Sequence, residues 1–147
     1  MSKVLVVIGV TAFADLWFCP PTAAADECSQ QNGFIAEAAA DRLNTWKKVA
    51  RAREQFAHCD DGGVAEGLSD AVARLLARHW AELPTLVSLI HSQPALEKFV
   101  LAHLNESDDF DDLKAIRVLA SHQCPATATS LCAKLVNRID SLDLSGP

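Results

Sequence analysis

Apolar residues along this chain return every three or four positions and almost never alternate, the spacing of α-helices that each turn one face to a core. From Ile35 the stripe runs through Ala39, Leu43, Trp46, Val49 and Ala50. It then drifts toward Ala52, Phe56 and Cys59, leaving Arg53 on the face that Ile35 and Trp46 began. That drift predicts one long first helix with a bend near Ala50. It also turns Arg53 inward, where a guanidinium would demand a carboxylate partner. Asp60-Asp61-Gly62-Gly63 is expected to be a turn, with glycine for the left-handed residue that ends a helix.

A second helix is predicted over residues 64–82, with Leu68, Val72, Leu75, Leu76, His79 and Leu83 on its inner arc and Pro84 stopping or restarting it. Residues 85–91 carry Leu86, Val87, Leu89 and Ile90 on nearly every side, which predicts a short buried helix. Pro94 opens another, with Leu96, Phe99, Val100, His103 and Leu104 on one face, and residues 105–109 form a polar break. A fifth helix is expected over residues 108–123 through Phe110, Leu113, Ile116 and Ala120. A sixth follows over residues 127–140 through Leu131, Leu135, Val136 and Ile139, and residues 141–147 are expected to fray. Six helices joined by short connections imply an all-α fold, a bundle or stacked helical hairpins, with no solenoid repeat and no linker marking a second domain.

The first 25 residues change the picture of where this happens. Lys3, the apolar run 4–13, the helix-breaking Pro20-Pro21 and the small residues Ala23-Ala24-Ala25 before Asp26 read as a signal peptide, leaving residues 26–147 as the mature domain. Asp15 interrupts the apolar stretch, and Ala12-Phe13-Ala14 offers a second cleavage site with the same consequence. A membrane anchor would need about 20 apolar residues in a row, and bulky Phe18 makes Cys19 a poor lipid-attachment site. The expected location is therefore periplasmic or secreted. A net charge of −6, from 13 basic and 19 acidic residues, argues against nucleic acid and anionic membrane surfaces and favours a basic partner.

In an oxidising compartment the remaining cysteines, Cys28, Cys59, Cys124 and Cys132, suggest two disulfides. Cys124 and Cys132 are the better pair, because each falls on the apolar arc of its own predicted helix and Pro125 opens the turn between them. Cys28 and Cys59 pose a problem. A straight helix between them would separate the two by about 40 Å, whereas a disulfide holds Cα atoms about 4.4–6.8 Å apart. Either the first helix bends or breaks, or the two do not both pair within the domain.

Candidate chemistry is sparse. Glu106, Asp108, Asp109, Asp111 and Asp112 crowd five carboxylates into seven residues but lack the alternation and glycine of a calcium loop. Capping of the following helix is the default reading, and a docking surface for a basic partner is compatible with it. Gly67-Leu68-Ser69-Asp70-Ala71 imitates part of a nucleophile elbow, yet lies inside a helical pattern instead of after a strand. His58-Cys59 and His122-x-Cys124 could pair on a metal, but oxidation of the thiols competes. His79 and His103 are expected to be core histidines, with a protonation switch or a catalytic base as the functional alternative. Trp46 and Trp80 are expected in the core, Trp80 at the edge of its arc where it could anchor an interface. The run Arg42, Lys47, Lys48, Arg51 and Arg53, interleaved with Glu37, Asp41 and Glu54, reads as a solvated, ion-paired helix face.

Two function classes are left. The favoured one is a non-enzymatic protein-binding module without cofactor or metal, of the kind that inhibitors and immunity proteins of cell-wall hydrolases represent, contacting its partner through the acidic segment and Trp80. The alternative is a periplasmic enzyme or metal-binding protein built on His79, His103 and the acidic residues.

Overall fold

The computed structural model describes residues 27–142, so the leader and residues 143–147 of the expected frayed tail lie outside it. Seven α-helices and no strand occur among the described residues. They are α1 (Gln30–Ala40), α2 (Trp46–Phe56), α3 (Gly62–Arg78), α4 (Leu83–Ser92), α5 (Ala95–Ala102), α6 (Phe110–His122) and α7 (Thr129–Asp140). Within that span no helix is long and apolar enough to cross a membrane. The protein is a small all-α bundle stapled by two disulfides.

The long first helix is two helices. The break falls between Ala40 and Trp46, and α2 continues without interruption through Ala50. Thr45 starts α2 by accepting the Lys48 N–H, satisfying one of the donors a helix start leaves open. The resulting hairpin brings Cys28 beside Cys59, with their Cα atoms 4.8 Å apart in a disulfide. Cys124 and Cys132 also pair, at a Cα separation of 6.1 Å. Cys124, however, lies in the turn beyond α6, not on a helix.

The second predicted helix also divides. Pro84 has no N–H to give a continuing helix and sits in the first turn of α4, so α3 stops at Arg78 and a single 3-10 turn, Trp80–Glu82, carries the chain across. Helix α4 is more amphipathic than its composition suggests. Leu83 and Leu86 are buried, Val87, Leu89 and Ile90 are half-buried, and Thr85, Ser88 and His91 face out. Leu142, expected in a frayed tail, is buried against the core.

Helices α1, α3, α6 and α7 pack side by side in that order. A second group of α2, α4 and α5 closes the core, α2 touching α1 and α3 while α5 touches α7. Trp46, Leu75, Leu86, Leu96, Leu113, Ile116 and Leu135 are among the fully buried side chains between the two groups. Ile35 and Phe110, both expected inward, are instead 48% and 54% exposed. Phe110 is the first residue of α6, above the end of the core, and α1 buries only Ala36 and Ala40, so its larger side chains Phe34 and Ile35 turn outward.

Small residues let α1 come close to α3. A Cβ added at Gly67 would stand 2.7 Å from the Cβ of Ala40. Glycine inside a helix usually costs about 1 kcal/mol relative to alanine, but here the alanine would push two backbones apart. Gly67→Ala should therefore destabilise the protein by about 1 kcal/mol, read as a lower urea midpoint. Adding Ala40→Gly should recover most of the loss. The turn before α3 contains the one left-handed residue among those described, Gly62 at φ +50°, and it opens α3 instead of closing the helix before it.

Candidate functional site

Helix α3 places Glu66, Ser69, Asp70 and Ala73 on one stripe, since residues three and four apart share a face. Packing of α3 against α6 lays that stripe alongside the segment that starts α6. Between them lies a cleft of about 330 Å³ lined by Glu66, Asp70, Asp108, Asp109 and Asp112, with Ser69 at its base.

Each carboxylate has a defined local role. Asp109 caps α6 by accepting the N–H groups of Asp111 and Asp112, the duty expected of acids at a helix start. Asp108 Oδ2 accepts the Asn105 N–H at 2.8 Å and closes the turn before α6. Asn105 Nδ2 donates to Ser69 Oγ at 3.1 Å, so this buried hydroxyl is held in a structural hydrogen bond on a helix. Asp112 receives a bidentate pair from Arg78, with Nη2 3.1 Å from Oδ2, and Asp70 pairs with Arg74. Of the five carboxylates, two pair with a guanidinium group, Asp70 with Arg74 and Asp112 with Arg78, and Glu66, Asp108 and Asp109 form no ion pair among the described residues. Burial pushes the Asp108 carboxyl above the ordinary aspartate range and the nearby Asp70 charge adds to the effect, while the Asn105 N–H, His103 and Arg138 oppose it.

Of the acids singled out in the sequence, Asp108, Asp109 and Asp112 thus meet in the cleft, whereas Glu106 and Asp111 do not line it. Glu66 and Asp70 were missed. Their i, i+4 spacing on α3 was a visible signal, but nothing local pointed to the acidic loop as their neighbour. Trp80 lies outside the cleft's lining, half-buried against the core, with Nε1 donating to Gln123 O at 2.9 Å.

The histidines separate. His79 is the exposed residue that ends α3, not a core residue, because the helix stops before the inner arc reaches it. His103 is buried, as expected. Its Nδ1 lies 3.0 Å from Phe99 O and its Nε2 3.0 Å from Asp60 Oδ1, so both ring nitrogens are engaged. Neither histidine lines the acidic cleft. Asp60→Ala should leave Nε2 without its partner inside the core, costing about 1–3 kcal/mol in urea unfolding, whereas Asp60→Asn, which keeps an acceptor, should cost less.

Cys59 and Cys124, considered above as metal ligands beside His58 and His122, are both held in disulfides. Among the described residues no group of three or more His, Cys, Asp or Glu is placed to hold a metal ion. The basic run differs from expectation too. Arg42, Lys47, Lys48, Arg51 and Arg53 form no ion pair among the described residues, whose ion pairs involve Arg74, Arg78, His103, Arg117 and Lys134. Arg53, expected inward with a carboxylate partner, is half-buried and has none among the described residues. Comparison with protein-family models, with curated proteins and with solved structures returns no match to this chain.

Proposed function

We propose that the protein is an exported, non-enzymatic binding module of the periplasm that docks a basic segment of a partner protein in the cleft between α3 and α6, as small inhibitors and immunity-type proteins do. The observation that carries this reading is the cleft's five carboxylates, only two of them paired with an arginine, around a partly buried one, Asp108. A carboxylate held away from water gains more from an arriving cation than a solvated one does, because the lower local dielectric strengthens the attraction. Export is supported by the leader-like first 25 residues and by the two disulfides.

The test is capture from periplasmic extract with the immobilised protein, run beside Asp108→Asn/Asp109→Asn. Asparagine oxygen can still accept the Asn105 N–H and still cap α6, so the variant removes charge while keeping the fold. A partner retained by the wild type and lost from the variant supports the reading. Equal retention by both overturns it.

The Asp108 shift also fixes the sign of two pH effects. Its folded pKa is raised, so its contribution to stability is fully present below the unfolded aspartate value and is lost as pH rises through the folded value. Urea unfolding should therefore show Asp108→Asn gaining on the wild type across that window. A bound cation favours the carboxylate, so binding of a basic peptide should release a proton and weaken as pH falls through the same window.

A further inference from the structure

The opposite charge gathers on the hairpin of α1 and α2. Over residues 41–56 the cations Arg42, Lys47, Lys48, Arg51 and Arg53 stand against two acids, Asp41 and Glu54. All of these cations but the half-buried Arg53 are exposed, and none meets a carboxylate among the described residues. Arg42, Lys48 and Arg51 line one open groove with Gln55, whose floor of Leu43, Ala52 and Phe56 belongs to the core. Lys48 Nζ donates to Asn44 Oδ1 at 2.9 Å and to Arg42 O at 3.3 Å, which holds the ammonium beside the hairpin turn.

Exposed apolar side chains accompany both charge clusters. On α1, Phe34 is 67% exposed and Ile35 lies next to it; Ala38, one turn on, is exposed as well, and Arg42 follows a further turn along. On α6, exposed Phe110 stands between Asp109 and Asp111. The hairpin thus offers cations with a phenyl ring, and the start of α6 offers carboxylates with a phenyl ring. Within the chain no ion pair joins the two among the described residues. Patches that complement each other but do not meet in one molecule are placed to meet between two.

We propose that the acidic cleft docks the hairpin of a second copy of this chain, Arg42 and Arg51 reaching Glu66, Asp108 and Asp109 while Phe34 covers Phe110. The proposal rests on the cleft being a docking site and names its partner. Arginine suits the contact because its planar fork meets a carboxylate through two parallel hydrogen bonds. The net charge of −6 on each copy is repulsive, but at physiological ionic strength charges beyond about 8 Å are largely screened, so the clusters in contact decide. Because the two patches differ, the contact is head-to-tail: each dimer keeps one free patch of either kind, and assembly continues unless a ring closes.

Sedimentation velocity of the purified protein over a range of concentrations tests this. Reversible growth with concentration is expected, about tenfold weaker in 1 M salt, where screening reaches down to about 3 Å. Arg42→Glu/Arg51→Glu and Asp108→Asn/Asp109→Asn are each expected to stay monomeric where the wild type assembles. Both arginines are exposed, and the asparagines keep the turn and cap of α6, so both variants are expected to remain folded. Mixed in equal amounts they are expected to form a dimer and nothing larger, since one intact patch of each kind remains. Phe34→Ser is expected to weaken assembly while leaving an arginine-rich peptide bound in the cleft as tightly as before.

A wild type that is monomeric at every concentration, variants that assemble as the wild type does, or a mixture that stays monomeric would each overturn the proposal. So would a protein that binds phosphatidylglycerol vesicles through the hairpin without self-association. If assembly fails while an arginine-rich peptide still shifts the cleft's amides, this inference alone falls; if the peptide fails too, the cleft is no docking site.

Discussion

Replacing Cys28 and Cys59 together by alanine is expected to cost up to about 3.7 kcal/mol, the loop-closure value for the 31-residue separation they bridge. The same replacement of Cys124 and Cys132, at a sequence separation of eight, is expected to cost up to about 2.5 kcal/mol. The two variants should also fail differently. Helix α1 buries only two alanines, so little apolar surface anchors it once its tie to α2 is gone. In the first variant, amide exchange should lose protection across residues 34–40 well before α3, α6 and α7 open. In the second, α7 keeps Leu131, Leu135 and Ile139 in the core and should open only with the whole fold. Exchange protection in α1 that survives loss of the disulfide would show that packing against α3 suffices.

Trp46→Ala should cost about 3–5 kcal/mol. The side chain is 1% exposed at the start of α2, where that helix meets α1, α3 and α4, and its removal would leave the largest cavity a single truncation can open there. Its Nε1 is buried without a hydrogen-bond partner, so Trp46→Phe should recover much of the loss by removing an unmade bond along with part of the ring. Trp80→Ala should cost less than Trp46→Ala, since Trp80 is only half-buried and one hydrogen bond to Gln123 O goes with it. Thermal unfolding of the three variants gives the comparison directly, a loss of 1 kcal/mol corresponding to about 4 °C in a domain of this size.

How much of this was legible follows from the range of each interaction. Stripes such as Leu68, Val72, Leu75 and Leu76 repeat within one helix, so α3, α5, α6 and α7 could be placed before the fold was known. The pairing of Cys124 with Cys132 and the capping duty of Asp109 are equally local. The break between α1 and α2 was misplaced because residues 41–45 contain neither glycine nor proline, and the apolar stripe passes through Leu43 into Trp46 as if the helix continued. Thr45 with an open N–H three residues on was the available sign. The spacing of His79 from Leu75 and Leu76 points it inward only if the helix continues, and it ends at Arg78, six residues before Pro84. Ile35 and Phe110 were misread for a related reason: each is the large residue on a stripe end whose core-facing positions are taken by smaller or later ones.

The cleft was half visible. An acidic run at a helix start is a local pattern, whereas its meeting with Glu66 and Asp70 depends on α3 packing against α6, a contact between residues some forty positions apart. The segregation of charge was hidden in the same way. A chain of net −6 gives no hint that its cations between Arg42 and Arg53 form no ion pair among the described residues while five of its acids line a cleft between two other helices.

The most direct measurement is a nitrogen-15 NMR titration of the purified protein with an arginine-rich peptide amide, repeated at high salt. Amide shifts centred on Ser69, Asp70 and residues 105–112, weakened by salt and absent from Asp108→Asn/Asp109→Asn, are the predicted result. Shifts spread evenly over the acidic surface, or unchanged in the charge-neutral variant, would contradict the assignment of this cleft as the docking site.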